Sequence, residues 1–480
     1  MIDPCTSLLT TKQTAMNKKP NTSNSRKISR RTAGKGALAW AGSTVLLDGT
    51  RHECFAAANE RPRVGVVGTG SRWFQKATGI DRPYGSAPEF KKYGDYVAVC
   101  DADSFRVGLA GDYVKEWTGT EPVRTTDYRK LIDSKDIDII HIVTPEHWHA
   151  KVAIEAMLAG KDVYCEKPMT LTIEEGQLVC EVAKKTGRVM QIGTQQRSMK
   201  QMLTAIALIR AGRLGEIKKA TCSLGGGPTS PVLPKAAPPK TLDWELWQGP
   251  VAQHDYRQKA GARNETSAWS RSHYEFRWWY EYSGGKLTDW GAHHCDIATW
   301  GLGKTETGPV TIDPIDASHP VEFKDGYPTD DSQYNTAAKF QILSTFADGV
   351  ELELRSDGNN GILFEGTKGR IFVNRGRVTG KPVEDLKDNP LPADALKQVY
   401  KHREPTNHFQ NFFESVRDGV EPISDVNSHH RALSTCHLSA IAIRLGRKLQ
   451  WDPNKQVITG DEQAASFIAR ERREKFEIEM

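Results

Sequence analysis

No run of about eighteen apolar residues occurs in the 480-residue sequence, which argues against a membrane-spanning helix in the mature chain. Cysteine is sparse and scattered: none of the eight stands in C-x-x-C spacing, so neither a zinc ribbon nor a disulfide framework is expected. Internal repeats are absent. A basic stripe is absent too, although the formal charge is +5. Residues 1–58 hold nine Lys or Arg against three Asp or Glu, leaving 56 basic against 57 acidic residues in the remainder. Nucleic acid is therefore not expected as a partner, because the excess charge belongs to one terminus. The residues present, 38% apolar and 26% charged, describe a globular chain too long for one ordinary domain, so two are expected.

The charged terminus has the order of an export leader. Arg26 and Lys27 precede Ser29-Arg30-Arg31 and Lys35, then comes the apolar "GALAWAGSTVLL", then "AAA" at 56–58. This resembles a twin-arginine signal over residues 1–58, with Ala33 and Gly34 where Phe and Leu are usual. It predicts a periplasmic or otherwise exported protein. Cys54 follows "RHE" rather than a lipobox, so no lipid anchor is expected.

After the leader, β-branched apolar runs alternate with helical patterns: "RVGVVGTG" from 63, "DYVAVCDAD" from 95, "IDIIHIVTP" ending at Pro145, "DVYCEKP" from 162 and "RVMQIGTQ" from 188. Strands this continuously apolar, separated by helices at 148–160 and 174–187, predict a parallel sheet covered on both faces. From about 200 the rhythm changes. A helix at 198–212 leads into an aromatic, Pro/Gly-rich excursion at 225–282, the length of which suggests function. Runs such as "KFQILSTF" and "GILFEGTKGRIFVN" then alternate on the strand period, predicting a largely antiparallel sheet. The predicted architecture is α/β: a parallel-sheet domain over 62–195, a second domain with a mostly antiparallel sheet over 196–455, and a tail or helix over 456–480.

Gly68-Thr69-Gly70 with Ser71 and Arg72 forms a strand-to-helix turn suited to a pyrophosphate, with Trp73 where the third glycine of G-x-G-x-x-G belongs. Asp101, closing the second strand, is placed to hold a ribose hydroxyl and to repel a 2′-phosphate, favouring NAD over NADP. Glu166-Lys167-Pro168 ends the fifth apolar run, where ligands bind in such sheets. A lysine crowded there by apolar neighbours can lose its proton and shuttle it.

The stretch "SGGKLTDWGAHHCDIATW" at 283–300 gathers Asp289, His293, His294, Cys295 and Asp296. On a helix Asp289, His293 and Asp296 share one face, while His294 and Cys295 turn away. A hydroxyl that loses hydride must also lose a proton, and His293 suits the base by its ordinary pKa, with Asp289 beside it. Gly284 and Gly285 would let the backbone approach a ligand. His147, His149 and His294 are metal-ligand types without metal-site spacing, and no metal is expected. Trp278 or Tyr280 could offer an aromatic platform to a sugar ring, core burial being an equal alternative. Arg197 in "GTQQRS" and His294 are weaker substrate candidates.

Together "GVVGTG", "TPEHWHAKVAIEAMLAGKDVYCEKP", "IGTQQRS" and "GGKLTDWGAHHCDIATW" resemble the Gfo/Idh/MocA oxidoreductase family over roughly 62–455. The resemblance implies an N-terminal Rossmann domain with a doubly wound parallel sheet, a C-terminal α/β domain with an open, mostly antiparallel sheet, and chemistry with NAD, NADP being the lesser choice, on a carbohydrate or cyclitol. It assigns catalysis to Lys167 together with Asp289 and His293, and places Thr144, Pro145, His147 and Glu166 around the nucleotide. It also implies a homo-oligomer, and exported members such as glucose-fructose oxidoreductase hold their nucleotide firmly. Some relatives oxidise a sugar transiently and cleave a glycoside without net redox change, so hydrolysis or elimination is the alternative activity. A sugar-binding protein without catalysis is the third reading, disfavoured because Lys167, Asp289 and His293 are all present.

Overall fold

The computed structural model describes residues 61–263 and 266–479. The expected leader lies outside them. Six strands, β1 (Arg63–Val67), β2 (Asp95–Cys100), β3 (Val123–Thr125), β4 (Ile139–Ile142), β5 (Asp162–Cys165) and β6 (Met190–Ile192), form a parallel sheet in the order β3-β2-β1-β4-β5-β6. All four residues of β4 and of β5 are buried, which is why these strands read as nearly continuous apolar runs rather than alternating ones, with only His141 and Asp162 as polar members. The helices between them stand where their periodicity places them, His149–Leu158 and Ile173–Thr186. The second of these is capped as its sequence dictates: Thr172 accepts from the Glu175 N–H, acids fill the first turn and lysines the last, and Gly187 closes it in the left-handed conformation.

Trp73 alters the helix after the glycine turn. The indole is fully buried against Tyr96 and Trp117, ring centroids 5.6 and 5.8 Å away. The helix is accordingly one turn long, Ser71–Phe74, and continues as a 3-10 turn to Thr78. The aromatic cluster that Trp73 joins is completed from far along the chain, by Phe409, Phe412 and Phe413 of the helix His408–Asp418.

The second sheet begins with β7 (Ile217–Ser223). The excursion then supplies a hairpin, β8 (Gln258–Arg263) and β9 (Thr266–Ser270). After it come β10 (Thr311–Ser318), the short ribbon β11 (Phe323–Lys324) and β12 (Tyr327–Pro328), β13 (Lys339–Thr345), β14 (Glu351–Arg355), β15 (Gly361–Gly366), β16 (Gly369–Val373), β17 (Val378–Thr379), β18 (Leu449–Asp452) and β19 (Val457–Thr459). Nine of these make an open sheet, β17-β16-β15-β7-β14-β13-β10-β18-β19. It is antiparallel except where β7 and β14 run parallel. Alternation along β13 buries Phe340, Ile342 and Ser344 beneath the helix Val426–Leu445, and turns the intervening residues outward.

Residues 456–480 are more than a tail. They supply β19 and then return to the first sheet, where Arg470 donates to Glu175 and to the His147 carbonyl, and Lys151 donates to the Glu477 carbonyl. The six cysteines among the described residues are all free thiols. No helix among them is long and apolar enough to cross a membrane.

Candidate active site

A cavity of ≈ 350 Å³ lies along the C-terminal ends of β1, β2, β4 and β5. Crevices at this edge of a parallel sheet are where such folds take ligands. From the Asp101 end at β2 to the Lys167 end at β5 is three strand spacings, roughly 14 Å. At its near end Gly68 has φ +91°, and a Cβ there would stand 2.5 Å from the Val143 carbonyl carbon. Only glycine fits this turn. Asp101 accepts from the Thr69 N–H at 2.7 Å and from the Asp103 N–H at 3.0 Å, so its carboxylate is fixed at the cavity wall. Thr69 itself is fully buried and braces Asp101 rather than lining the cavity. Gly70, Ser71, Arg72, Thr144, Pro145 and Glu166 all line it. Arg72 donates to Glu166 at 2.7 Å, and Glu166 Oε2 is buried without a partner.

At the far end Lys167 Nζ donates to the Asp289 carboxylate at 2.5 Å and to its main-chain carbonyl at 2.8 Å. The expectation of apolar crowding around this lysine is corrected: its Nζ sits on a carboxylate. Burial pushes the Asp289 carboxyl up, but the charges of Lys167 and Arg277 more than offset this and hold it well below the usual range. His293 lies in the same wall, 5% exposed, its Nδ1 buried without a hydrogen bond. Burial, then the positive charges of Lys167 and Arg375, drive its pKa well below 6.5 and keep the imidazole neutral. A neutral imidazole beside an ammonium is an acceptor next to a donor, the pair that proton removal from a hydroxyl requires.

Sharing a helix face did not bring Asp296 to the site. It lies seven residues beyond Asp289, about 10 Å along the axis, and is fully buried beneath the cavity. There it receives both Nε and Nη2 of Arg197, at 2.6 and 2.8 Å. Arg197 also donates to the Ile423 carbonyl and Ser428, is buried and does not line the cavity, so the substrate role expected of it is corrected. His294 is spent on Gln196 and Asn360. Trp278 is packed with Trp279 and Tyr282 in an aromatic core, and Tyr280 packs on Phe323 and Arg444, so none of these four lines the cavity. His147 also misses it. Its Nε2 bonds the Trp247 carbonyl, while His149, two residues on, lines the cavity and ties the Thr144 carbonyl to that of Pro168. Gly284 and Gly285 face Thr288 and Thr336, not a ligand.

Several lining residues carry no clear sequence signal. Glu146 accepts from Ser283 at 2.8 Å and Thr288 at 3.3 Å, and burial raises its pKa to about 7. The 225–282 excursion closes the cavity with Leu246, Trp247, His273, Phe276 and Arg277. His273 reaches it in a left-handed conformation, φ +51°, and bonds Asp103 at 3.1 Å. Arg375 comes from the turn between β16 and β17. Among the described residues no group of three metal-ligand side chains converges. The glycine turn, the fixed Asp101 and the unpartnered atoms of Glu166 and His293 fit an elongated ligand with a phosphate-bearing end and a reactive end.

Residues 62–194 match the oxidoreductase family NAD-binding Rossmann fold, and residues 229–478 match the oxidoreductase family C-terminal alpha/beta domain. A glycosyl hydrolase family 109 protein of Shewanella baltica is 32% identical over 159 residues, which is 32% of this chain and 33% of the relative. The match thus spans about a third of the curated relative's length. Among solved structures, an aldose-aldose oxidoreductase from Caulobacter crescentus complexed with glycerol superposes with TM-score 0.53 at 19% identity, covering 82% of this chain and 100% of the other. The WlbA dehydrogenase from Bordetella pertussis, in complex with NADH and UDP-GlcNAcA, does so with TM-score 0.52 at 17% identity, covering 82% and 99%. At these identities the structures share the fold.

Proposed function

The chain belongs to the Gfo/Idh/MocA oxidoreductase family, with an NAD-binding Rossmann domain, and we propose that it oxidises a hydroxyl of a sugar or glycoside. The observation that carries this reading is the Lys167–Asp289 pair beside the neutral, unpartnered His293 in one cavity. NAD, when bound, supplies the hydride acceptor. Gly68, Gly70 and Ser71 would take its pyrophosphate, Asp101 its adenosine ribose, and Thr144, Pro145 and Glu166 its other end. Asp289 holds the Lys167 ammonium in place, and that ammonium donates a hydrogen bond to the substrate oxygen. His293 accepts the hydroxyl proton, its neutrality maintained by burial and by the cations around it. Trp247, Phe276 and the excursion that carries them exclude water from the reacting atoms.

A second reading, cleavage of a glycoside through transient oxidation with no net redox change, is favoured by the likeness to the Shewanella baltica hydrolase over a third of its length. The same donor and base serve it. Export by the twin-arginine route and a nucleotide held between turnovers belong to the proposal. So does pairing of two copies through the outward face of the nine-stranded sheet.

The test incubates nucleotide-loaded protein with free sugars and aryl glycosides while absorbance of reduced nucleotide and aglycone release are followed together. Accumulating reduced nucleotide supports net oxidation, and release without it supports the second reading. Binding of sugars with neither signal would overturn both in favour of a binding protein.

A further inference from the structure

Four cations and three carboxyl groups surround the reactive end of the cavity, and all three carboxyls are already engaged, Glu146 by the hydroxyls of Ser283 and Thr288. Lys167 holds Asp289, and Arg72 holds Glu166. Arg277 stands 3.8 Å from the oxygen of Asp289 that Lys167 already occupies. Arg375 has no carboxylate within ion-pair distance among the described residues. We propose that the substrate is an anionic sugar, bearing a carboxylate or sulfate, and that Arg375 at the cavity mouth receives that group. This inference rests on reading the cavity as a sugar site.

Arg375 is exposed, yet its neighbours hold the guanidinium in place. Its guanidinium lies 4.7 Å from the centre of the Trp290 ring, a stacking distance. With the Gln196 amide turned so that its nitrogen donates to the His293 carbonyl, its oxygen accepts from Arg375 Nε at 3.1 Å. One edge of the guanidinium is thereby fixed, and the Nη groups remain for a ligand at the mouth. A planar fork held in this way matches a carboxylate or sulfate through two parallel N–H···O bonds, stronger than bonds to a neutral hydroxyl. Trp290 adjoins both Asp289 and the helix carrying His293, so an anion on Arg375 would bring the neighbouring sugar carbons to the Lys167–His293 pair. Burial is the first cause of the depressed pKa of His293, and the charge of Arg375 adds to it. An incoming anion would neutralise that charge.

The experiment loads the protein with reduced nucleotide, so that no hydroxyl is oxidised, and measures affinity by calorimetry at low salt. The probes are glucose with glucuronate, galactose with galacturonate, mannose with mannuronate, and glucose 6-sulfate. At least one acidic sugar is expected to bind about tenfold or more tightly than its neutral partner, with the carboxylate and sulfate arms identifying the group. Arg375→Gln should remove that preference while nucleotide affinity stays unchanged. Arg377→Gln, the same charge change on an exposed residue outside the cavity, should leave it intact. Equal or tighter binding of the neutral sugars would overturn the inference and leave the sugar reading standing. Loss of nucleotide affinity in Arg375→Gln would overturn it in favour of a cofactor contact. Binding of no sugar at all would overturn both.

Discussion

Lys167 and Asp289, 122 residues apart, are joined twice, Nζ donating to a carboxylate oxygen at 2.5 Å and to the same residue's carbonyl at 2.8 Å. The strand end of one domain is thereby tied to the helix start that precedes His293 in the other. The ammonium's position is set by two acceptors rather than one, which is what a group that must meet a substrate oxygen at a fixed place needs.

Replacing either partner should therefore lower turnover without emptying the nucleotide site. Lys167→Met and Asp289→Asn are each expected to lose about 10²- to 10⁴-fold in kcat, the usual range for removing an acid/base group. Nucleotide content, measured by mass spectrometry of the purified variants, should match that of the parent. His293→Asn should fall in the same range. A variant in which all three are retained but nucleotide is lost would locate the defect elsewhere.

Glu146 makes stability depend on pH. Its folded pKa, raised from 4.5 to about 7 by burial, means that the native state binds the proton more tightly than the unfolded chain does. The contribution is complete below the unfolded value and is lost as pH rises through the folded one. Glu146→Gln, which imitates the protonated carboxyl, should flatten the fall in stability between about pH 4.5 and 7 and be the more stable form at pH 8. The gain is on the order of 3 kcal/mol at about 1.4 kcal/mol per unit. Thermal unfolding of both proteins at pH 5 and pH 8 checks it, and an unchanged slope would remove Glu146 as its source.

Arg197 separates a structural role from a substrate role. With 2% of its side chain exposed and Asp296 fully buried, the pair is bidentate and wholly inside the protein. Arg197→Met leaves an uncompensated buried carboxylate, which costs about 3–5 kcal/mol. Denaturant unfolding should show that loss, and sugar affinity of the folded fraction should be unchanged. Arg197→Met combined with Asp296→Asn should recover part of the stability.

The first sheet is legible in the sequence because strands buried on both faces leave little room for polar residues, and β4 and β5 show it. The distant Lys167 and His293 are legible only through the family pattern, since no local period connects them. Asp296 misleads for a physical reason: a shared helix face extends well past any one cavity, and a residue two turns along it belongs to the core, where it holds Arg197 from the turn Gln195–Ser198. Arg375 sits in a hairpin turn whose "NRGR" reads as ordinary surface. Glu146 stands between Pro145 and His147, both expected near the nucleotide, yet its burial and its Ser283 bond come from a segment more than a hundred residues away. The aromatic excursion stands out by its length, but which of its rings face the cavity depends on packing that period alone does not encode.

Asp101 is the residue proposed to govern the choice of nucleotide, and its setting predicts how that choice can be moved. Its carboxylate is aligned by the Thr69 and Asp103 N–H groups, and it faces the cavity where a ribose 2′-hydroxyl would be received. Arg106 lies close by, with Nη1 3.0 Å from where a Cβ on Gly70 would stand. In the parent the acid is expected to repel a 2′-phosphate, so the proposal is that NAD is preferred despite the arginine. Asp101→Ser removes that repulsion and one hydroxyl acceptor while leaving Arg106 able to pair with a phosphate. Affinity for NAD should fall about tenfold or more, and the ratio of NADP to NAD affinity should rise by a similar factor, both read by fluorescence titration of nucleotide-free protein. Adding Arg106→Gln should reverse the rise for NADP and leave the loss for NAD. If NADP affinity does not change in Asp101→Ser, the carboxylate is not what excludes the 2′-phosphate, and the shape of the turn at Gly70 must do so instead.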